Sequence, residues 1–228
     1  MQQADIDEMV HTVQSLMRGF PAPWCVAGGW ALDLFLGRVT RAHSDVEVAI
    51  FRQDQARLHS QFVNWTFHKV ADGQRKIWSA SDFLMLPVHE IHARSADDPP
   101  HTIEFLLNER DDACWIFRRN ISIHLPLEHA IVRVSAGLPV LCPAIVLLFK
   151  AKAPRPRDEA DFQATIHEMD RARRAWLHSV LQVRHPGQTP ARQPIIRSAA
   201  GDDPSSSFAG LPRGFAGMTT IEGHDEHM

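Results

Sequence analysis

No stretch of this chain stays apolar long enough to cross a bilayer. The longest such runs, as at Ala144 to Phe149, fall far short of the roughly 20 residues a spanning helix needs. The first ten residues, MQQADIDEMV, lack the basic region followed by an apolar run that marks a secretory signal. Cysteine is scarce. Cys25, Cys114 and Cys142 are odd in number and widely spaced, which excludes a disulfide framework and the common zinc patterns. They are expected to be plain buried or half-buried thiols of a cytoplasmic protein. A strong charge of one sign is missing too. A net charge of -3 gives no general attraction to nucleic acid or to an anionic membrane, so a polyanionic ligand would have to be held by placed cations or metal ions.

What is present is an ordinary globular composition, 44% hydrophobic and 22% charged, over 228 residues, enough for one large domain or two small ones. Ile6, Met9, Val10, Val13, Leu16 and Met17 recur at helical spacing, which predicts a helix over 3–18 closed by Gly19. A short buried strand is expected at 24–27, a break at Gly28-Gly29, a short helix at 30–36, a strand at 45–51 and a helix at 53–63. From 65 to 119 the segments WTFHKV, RKIW, FLML, VHEIHAR, TIEFLLN and CWIFRR read as short strands and turns of a mixed, partly antiparallel sheet. Pro143 to Lys152 reads as a helix with proline in its first turn, and Asp158 to Val183 as one long helix with Asp158 at its N-cap. The fold class is therefore α+β, a mixed α/β half at 1–140 followed by a smaller helical half at 141–184. The tail at 185–228 holds 6 of the 12 glycines and 5 of the 15 prolines with little to bury, and is expected to be disordered.

The chemistry centres on carboxylates. Asp45 and Glu47 are two apart in an expected strand, so both leave the same face with Cα atoms about 7 Å apart. That pair can bracket a hard cation, while Val46, Val48 and Ile50 anchor the other face in the core. Gly28-Gly29 upstream allows a tight turn and close backbone approach to a phosphate at a helix N-terminus. The loop between carries the donors Thr40, Arg41, His43 and Ser44. Glu104 stands opposite Ile103, Phe105 and Leu107 in an otherwise apolar strand, where a carboxylate needs water, a partner or a metal. It is the expected third acid, with Glu90 as its rival. Lys150 leaves the apolar helix run LLF at a defined place and is expected to contact phosphate. Trp115, Phe117 and Trp176 are expected in the core, and His89, His92 and His124 as structural or solvent-facing.

These residues resemble a known family. VAGGWALDLFLGRVTRAHSDVEVAI looks like the nucleotide-binding segment of aminoglycoside and lincosamide nucleotidyltransferases, of the polymerase-β-like superfamily, whose signature is a Gly-Gly or Gly-Ser turn before a strand carrying D-x-D or D-x-E. The resemblance continues through EFLLNERDDACWIFRR and PAIVLLFKAKAPRPRDEADF and ends near RRAWLHSVL. It implies a nucleotidyltransferase-type domain, a helical domain and a site in the cleft between them. It also implies metal-dependent transfer of a nucleoside monophosphate, AMP from ATP or another NTP, to a hydroxyl of a small acceptor such as an aminoglycoside-like antibiotic, and hence a role in antibiotic resistance. Asp45, Glu47 and Glu104 match the catalytic, Mg²⁺-binding acids, and Gly28, Gly29, Arg41, His43 and Lys150 the nucleotide-binding positions. The chain departs from the pattern in having Glu at 47 instead of Asp, and Ala144 where relatives often carry Glu after the proline. The resemblance is lost after His185. These departures leave two alternatives: a catalytically weak or inactive nucleotide-binding module, or transfer to a protein or RNA, with net acidity weighing against RNA. Acceptor and oligomeric state stay open.

Overall fold

A computed structural model describes residues 2–184. The tail expected to be disordered lies outside the described residues. The chain begins with α1 (Gln2–Leu16), β1 (Trp24–Val26), α2 (Gly28–Leu36), β2 (Glu47–Phe51) and α3 (Arg57–Gln61). Next come β3 (Trp65–Ala71), β4 (Gln74–Ile77), β5 (Glu90–Ser95), β6 (Thr102–Arg110), β7 (Cys114–Ile116) and β8 (His124–Pro126). The rest is α4 (Leu127–Ala130), β9 (Ile131–Arg133), β10 (Pro139–Leu141), α5 (Pro143–Lys150), α6 (Pro156–Ile166) and α7 (Arg171–Arg184).

The strands form one mixed sheet in the order β4-β3-β5-β6-β2-β1-β10-β9, with β7 pairing β6, and β8 pairing β7. Two pairings are parallel, β2 with β6 and β1 with β10. β2 is therefore an interior strand, antiparallel to β1 on its other side. Its residues Val48 to Phe51 are all buried, which holds the acids at its leading end in a fixed frame. α2 packs on β2 and β10 and meets α5 and α6, and α5 packs on α7. The apolar periodicity of α1 turns Ile6, Met9, Val13 and Met17 inward. The core runs without interruption from Val26, Val48 and Phe105 to Ile145, Leu177 and Leu181, all buried side chains whose removal from water stabilises each by about 1.5–3 kcal/mol. Trp115, Phe117 and Trp176 lie in it, with the Trp115 indole N–H donating to Asn108 Oδ1 at 2.9 Å. Cys25 and Cys142 are buried and Cys114 is half-buried, all as free thiols.

Several elements differ from the sequence expectations. Gly28-Gly29 does not separate strand from helix; the two glycines are the first residues of α2. Asp45 precedes β2, which starts at Glu47. The expected helix at 53–63 is a 3-10 turn, Arg52–Asp54, followed by the five residues of α3. FLML is a loop. The backbone N–H of Leu84 donates to Gln55 Oε1 at 2.7 Å, and its carbonyl accepts from the buried Arg52 guanidinium at 2.9 Å. Side chains thus satisfy the backbone groups a strand partner would have taken. The long helix at 158–183 is two helices. The Asp170 carboxylate accepts from the backbone N–H of Arg173 at 2.8 Å and starts α7 afresh. Asp158 is not the N-cap of α6 but its third residue, accepting from the backbone N–H of Arg155 at 3.0 Å. The strands β8, β9 and β10 and the single turn α4 have no counterpart among the expectations. Each spans only three or four residues, too few to display a period. Residue 140 lies within β10, where Val140 pairs Val26.

Candidate active site

Sheet register sets one row of side chains on a single face. Glu47 on β2 is level with Glu104 on β6, Glu104 with His92 on β5, and His92 with His68 on β3. Parallel neighbours stand about 4.8 Å apart, so the two glutamates are adjacent. Asp45 lies exposed just before the row, its carboxylate accepting from Ser44 Oγ at 3.1 Å. Asp45, Glu47, Glu90 and Glu104 all line one cleft of about 730 Å³. The carboxylates do not all gather at one point. Among the described residues, the set whose ligand atoms lie within 4.8 Å of one another is Glu90, His92 and Glu104. His92 bridges the two acids, Nε2 at 2.6 Å from Glu90 and Nδ1 at 3.0 Å from Glu104. Glu104 and its rival thus share one imidazole, and His92 stands in the acidic site and not merely in the structure.

Crowding of like charge has an electrostatic signature. The Glu104 carboxyl is pushed up to about 7, first by burial and then by Asp45, Glu90 and Glu47, against the opposing pull of His92. The Glu47 carboxyl is also raised, by burial first and by Asp45 next, with Lys150 and the backbone N–H of Gly29 opposing. Two carboxyls, Glu47 and Glu104, held above their ordinary range beside Asp45 suit a hard divalent cation, whose charge would relieve both burial and repulsion.

The two glycines make room for the protein's own side chains. Gly28 has φ of 59°, and a Cβ on it would lie 1.3 Å from Glu47 Oε2. A Cβ on Gly29 would lie 2.5 Å from Arg41 Nη2 and from His43 Cε1. The first amides of α2 therefore face the Glu47 carboxylate, and Arg41 and His43 lie directly over the turn.

Arg41 and His43 belong to a polar chain that ties the loop after α2 to the C-terminal helices. Thr40 Oγ1 donates to Asp33 Oδ1 at 2.6 Å, and His43 Nε2 lies 2.6 Å from Asp33 Oδ2. Arg41 lies 3.1 Å from His43 Nδ1 and grips Asp161 with two nitrogens, at 2.9 and 3.1 Å. Lys150 Nζ stands 3.0 Å from Asp161 and 2.8 Å from Asp158, which Arg155 also holds at 2.8 Å. The Asp158 and Asp161 carboxyls are buried, which would raise them, yet hydrogen bonds from these cations hold both well below the usual carboxylate range. Lys150 thus reaches the cleft already clamped between two carboxylates. Asp33, Asp158 and Asp161 had no place among the expected site residues. Asp33 carried a signal, a lone acid inside the apolar turn ALDLF, which when buried must be paired.

Beyond Lys150, the cleft is walled by Arg118, Arg119, Lys152, Arg155 and Arg157. Arg118 stacks on the Phe149 ring at 4.6 Å, and burial lowers its pKa to about 10. Ala144 is fully buried in α5 and does not line the cleft. No helix among the described residues is long and apolar enough to cross a membrane.

A family model for aminoglycoside-2''-adenylyltransferase matches residues 9–163. The crystal structure of ANT(2")-Ia in complex with adenylyl-2"-tobramycin is 16% identical with a TM-score of 0.51, over 78% of this chain and 98% of that one. The solution structure of antibiotic-resistance factor ANT(2'')-Ia is 15% identical with a TM-score of 0.52, over 81% and 95%. The lincomycin-bound crystal structure of the lincosamide antibiotic adenylyltransferase LnuA is 12% identical with a TM-score of 0.50, over 71% and 97%. At these identities the likeness is one of fold. No curated protein matches the chain by sequence.

Proposed function

Since the chain belongs to the aminoglycoside-2''-adenylyltransferase family and is a nucleotidyltransferase enzyme, we propose that it moves AMP from ATP to a hydroxyl of a small acceptor, with Mg²⁺ as cofactor. The observation that carries this reading is that Asp45, Glu47 and Glu104 line one cleft whose other wall is cationic. The solved relatives hold antibiotics, which makes an antibiotic hydroxyl the reference acceptor. In this reading residues 1–140 form the nucleotidyltransferase unit and 141–184 a helical unit that contributes the Lys150 wall.

Asp45, Glu47 and Glu104 would hold the cation, which when bound neutralises charge on the triphosphate and polarises the α-phosphate. Lys150, Lys152, Arg157 and Arg118 would hold the triphosphate and stabilise departing pyrophosphate. Arg41 and His43, fixed over Gly29, would line the nucleotide side. The acceptor oxygen bonds to the α-phosphorus as the bond from that phosphorus to the bridging oxygen of pyrophosphate breaks, and the hydroxyl proton passes to the Glu104 carboxylate.

The test is pyrophosphate release from ATP and Mg²⁺ over a panel of hydroxyl acceptors. Asp45→Ala should lower turnover by about 100-fold or more, the usual scale for removing a group that stabilises transition-state charge. Its exposed position predicts an unchanged circular dichroism spectrum. Full activity in that variant would refute the assignment.

A further inference from the structure

Past the acids, the row across the sheet leads into a second cavity. It has about 690 Å³, within the range of small-molecule sites. Ser44, Asp45 and Glu104 belong to both cavities, so the acids stand at the shared wall. The floor is the open sheet face: Thr66 and His68 on β3, Arg94 on β5 and Thr102 on β6, with Arg75 on β4 at the side. Arg94 is level with Thr66 on one neighbour and with Thr102 on the other.

The geometry of transfer assigns this space. In an in-line displacement the leaving pyrophosphate and the incoming hydroxyl occupy opposite sides of the α-phosphorus. The cations that suit a triphosphate, Lys150, Lys152, Arg118 and Arg157, lie in the first cavity. With the α-phosphate at the acids, the hydroxyl arrives from the second.

The charge of that space then selects the acceptor. Apart from the shared Asp45 and Glu104, it contains no acid, while Arg75, Arg94, His68 and His92 line it. Arg75 and Arg94 are both exposed, and neither has an ion-pair partner among the described residues. Apart from Asp45, Glu47 and Glu104, which this reading gives to the cation, the carboxylates of the first cavity are paired. Asp158 is held by Lys150 and Arg155, and Glu90 by His92. We propose that the acceptor is a hydroxyl compound carrying an acid group, carboxylate or phosphate, which Arg75 and Arg94 bind on the sheet face while its hydroxyl meets Asp45 and Glu104. Guanidinium forks match both anions in geometry and charge. This inference rests on the nucleotidyltransfer reading for the role of the bound compound.

The experiment titrates the protein, saturated with Mg²⁺ and a non-hydrolysable ATP analogue, with glucose, glucose 6-phosphate, gluconate, glucosamine and tobramycin by calorimetry. Pyrophosphate release is measured over the same compounds with ATP. The phosphate and carboxylate arms separate the two sources of anion. Expected is tighter binding of glucose 6-phosphate or gluconate than of glucose, with the cations weakest. The double variant Arg75→Glu, Arg94→Glu should weaken anion binding by about 10-fold or more, on the scale of a lost charge-assisted contact. Both side chains are exposed, so its melting temperature should be unchanged. Tighter binding of glucosamine or tobramycin than of either anion would overturn the proposal, as would anion binding that is absent or indifferent to the double variant. Absence of pyrophosphate release with every compound would instead overturn the nucleotidyltransfer reading, and the titration would still decide the charge preference.

Discussion

The carboxylate of Glu47 fills the space that a side chain on Gly28 would need, with Oε2 1.3 Å from the position of its Cβ. The start of α2 and the start of β2 thus touch through a carboxylate and a bare Cα, and the glycine keeps that acid where it can face the cleft.

Gly28→Ala should therefore fail twice. The left-handed backbone at φ of 59° costs an alanine about 1–2 kcal/mol, and the methyl group displaces Glu47. The expected outcome is a melting temperature several degrees lower and weaker Mg²⁺ binding in calorimetric titration. Wild-type Mg²⁺ affinity in a folded Gly28→Ala protein would show that Glu47 is not placed by this contact.

Gly29→Ala probes the second contact, since the atoms nearest its methyl belong to Arg41 and His43, where those nearest the Gly28 methyl belong to Glu47. It should raise the KM for ATP more than it lowers kcat, in steady-state pyrophosphate release. An unchanged KM would remove Arg41 and His43 from the nucleotide side.

Asp161→Asn removes the charge that Arg41 and Lys150 share. The carboxylate is nearly buried and Arg41 about a quarter exposed, so part of the loss is screened. A stability loss of about 2–3 kcal/mol is expected in urea unfolding, below the full cost of breaking a wholly buried pair. A change under about 0.5 kcal/mol would mean that the network does not couple the loop to the helices.

The pH dependence follows from Glu104, whose folded value of about 7 exceeds the ordinary carboxylate value. The folded metal-free protein keeps a proton that the unfolded chain releases. The resulting stability is fully present below the ordinary value and is lost as pH rises through about 7. Metal affinity runs the other way, since binding requires the carboxylate, and should rise over that interval with release of a proton. Glu104→Gln should flatten both trends in thermal melts and Mg²⁺ titrations at pH 5.5, 7 and 8.5. His92→Gln removes the group that pulls Glu104 down, so the inflection should move to higher pH. Movement to lower pH would contradict the described coupling.

Much of the site could be read from the chain because it depends on local periodicity. The alternation of Ile103, Phe105 and Leu107 inward places Glu104 on the opposite face, and the structure keeps that alternation. His92 was legible in principle, two residues from Glu90 on one strand and so on its face. The roles of the glycines were not. A Gly-Gly pair announces close approach, but whether a phosphate, Glu47 or Arg41 comes close depends on segments up to 19 residues away along the chain, Glu47 to Gly28 among them. The FLML loop shows the same limit, its strand-like sequence overruled by Arg52 and Gln55 from another element.

By itself the sequence determined most of the longer elements, the faces their residues take and the presence of acids at the head of a strand near the glycine pair, because each follows from a period of 2 or 3.6 along the backbone. Only the tertiary structure decided which residues became neighbours. Parallel register set Glu104 beside Glu47, antiparallel register set His92 beside Glu104, and helix packing carried Asp161 across 120 residues to Arg41. Charge interactions fall off over a few ångströms, so the raised Glu104 carboxyl, the clamped Lys150 and the cationic second cavity are properties of those contacts. No one segment carries them.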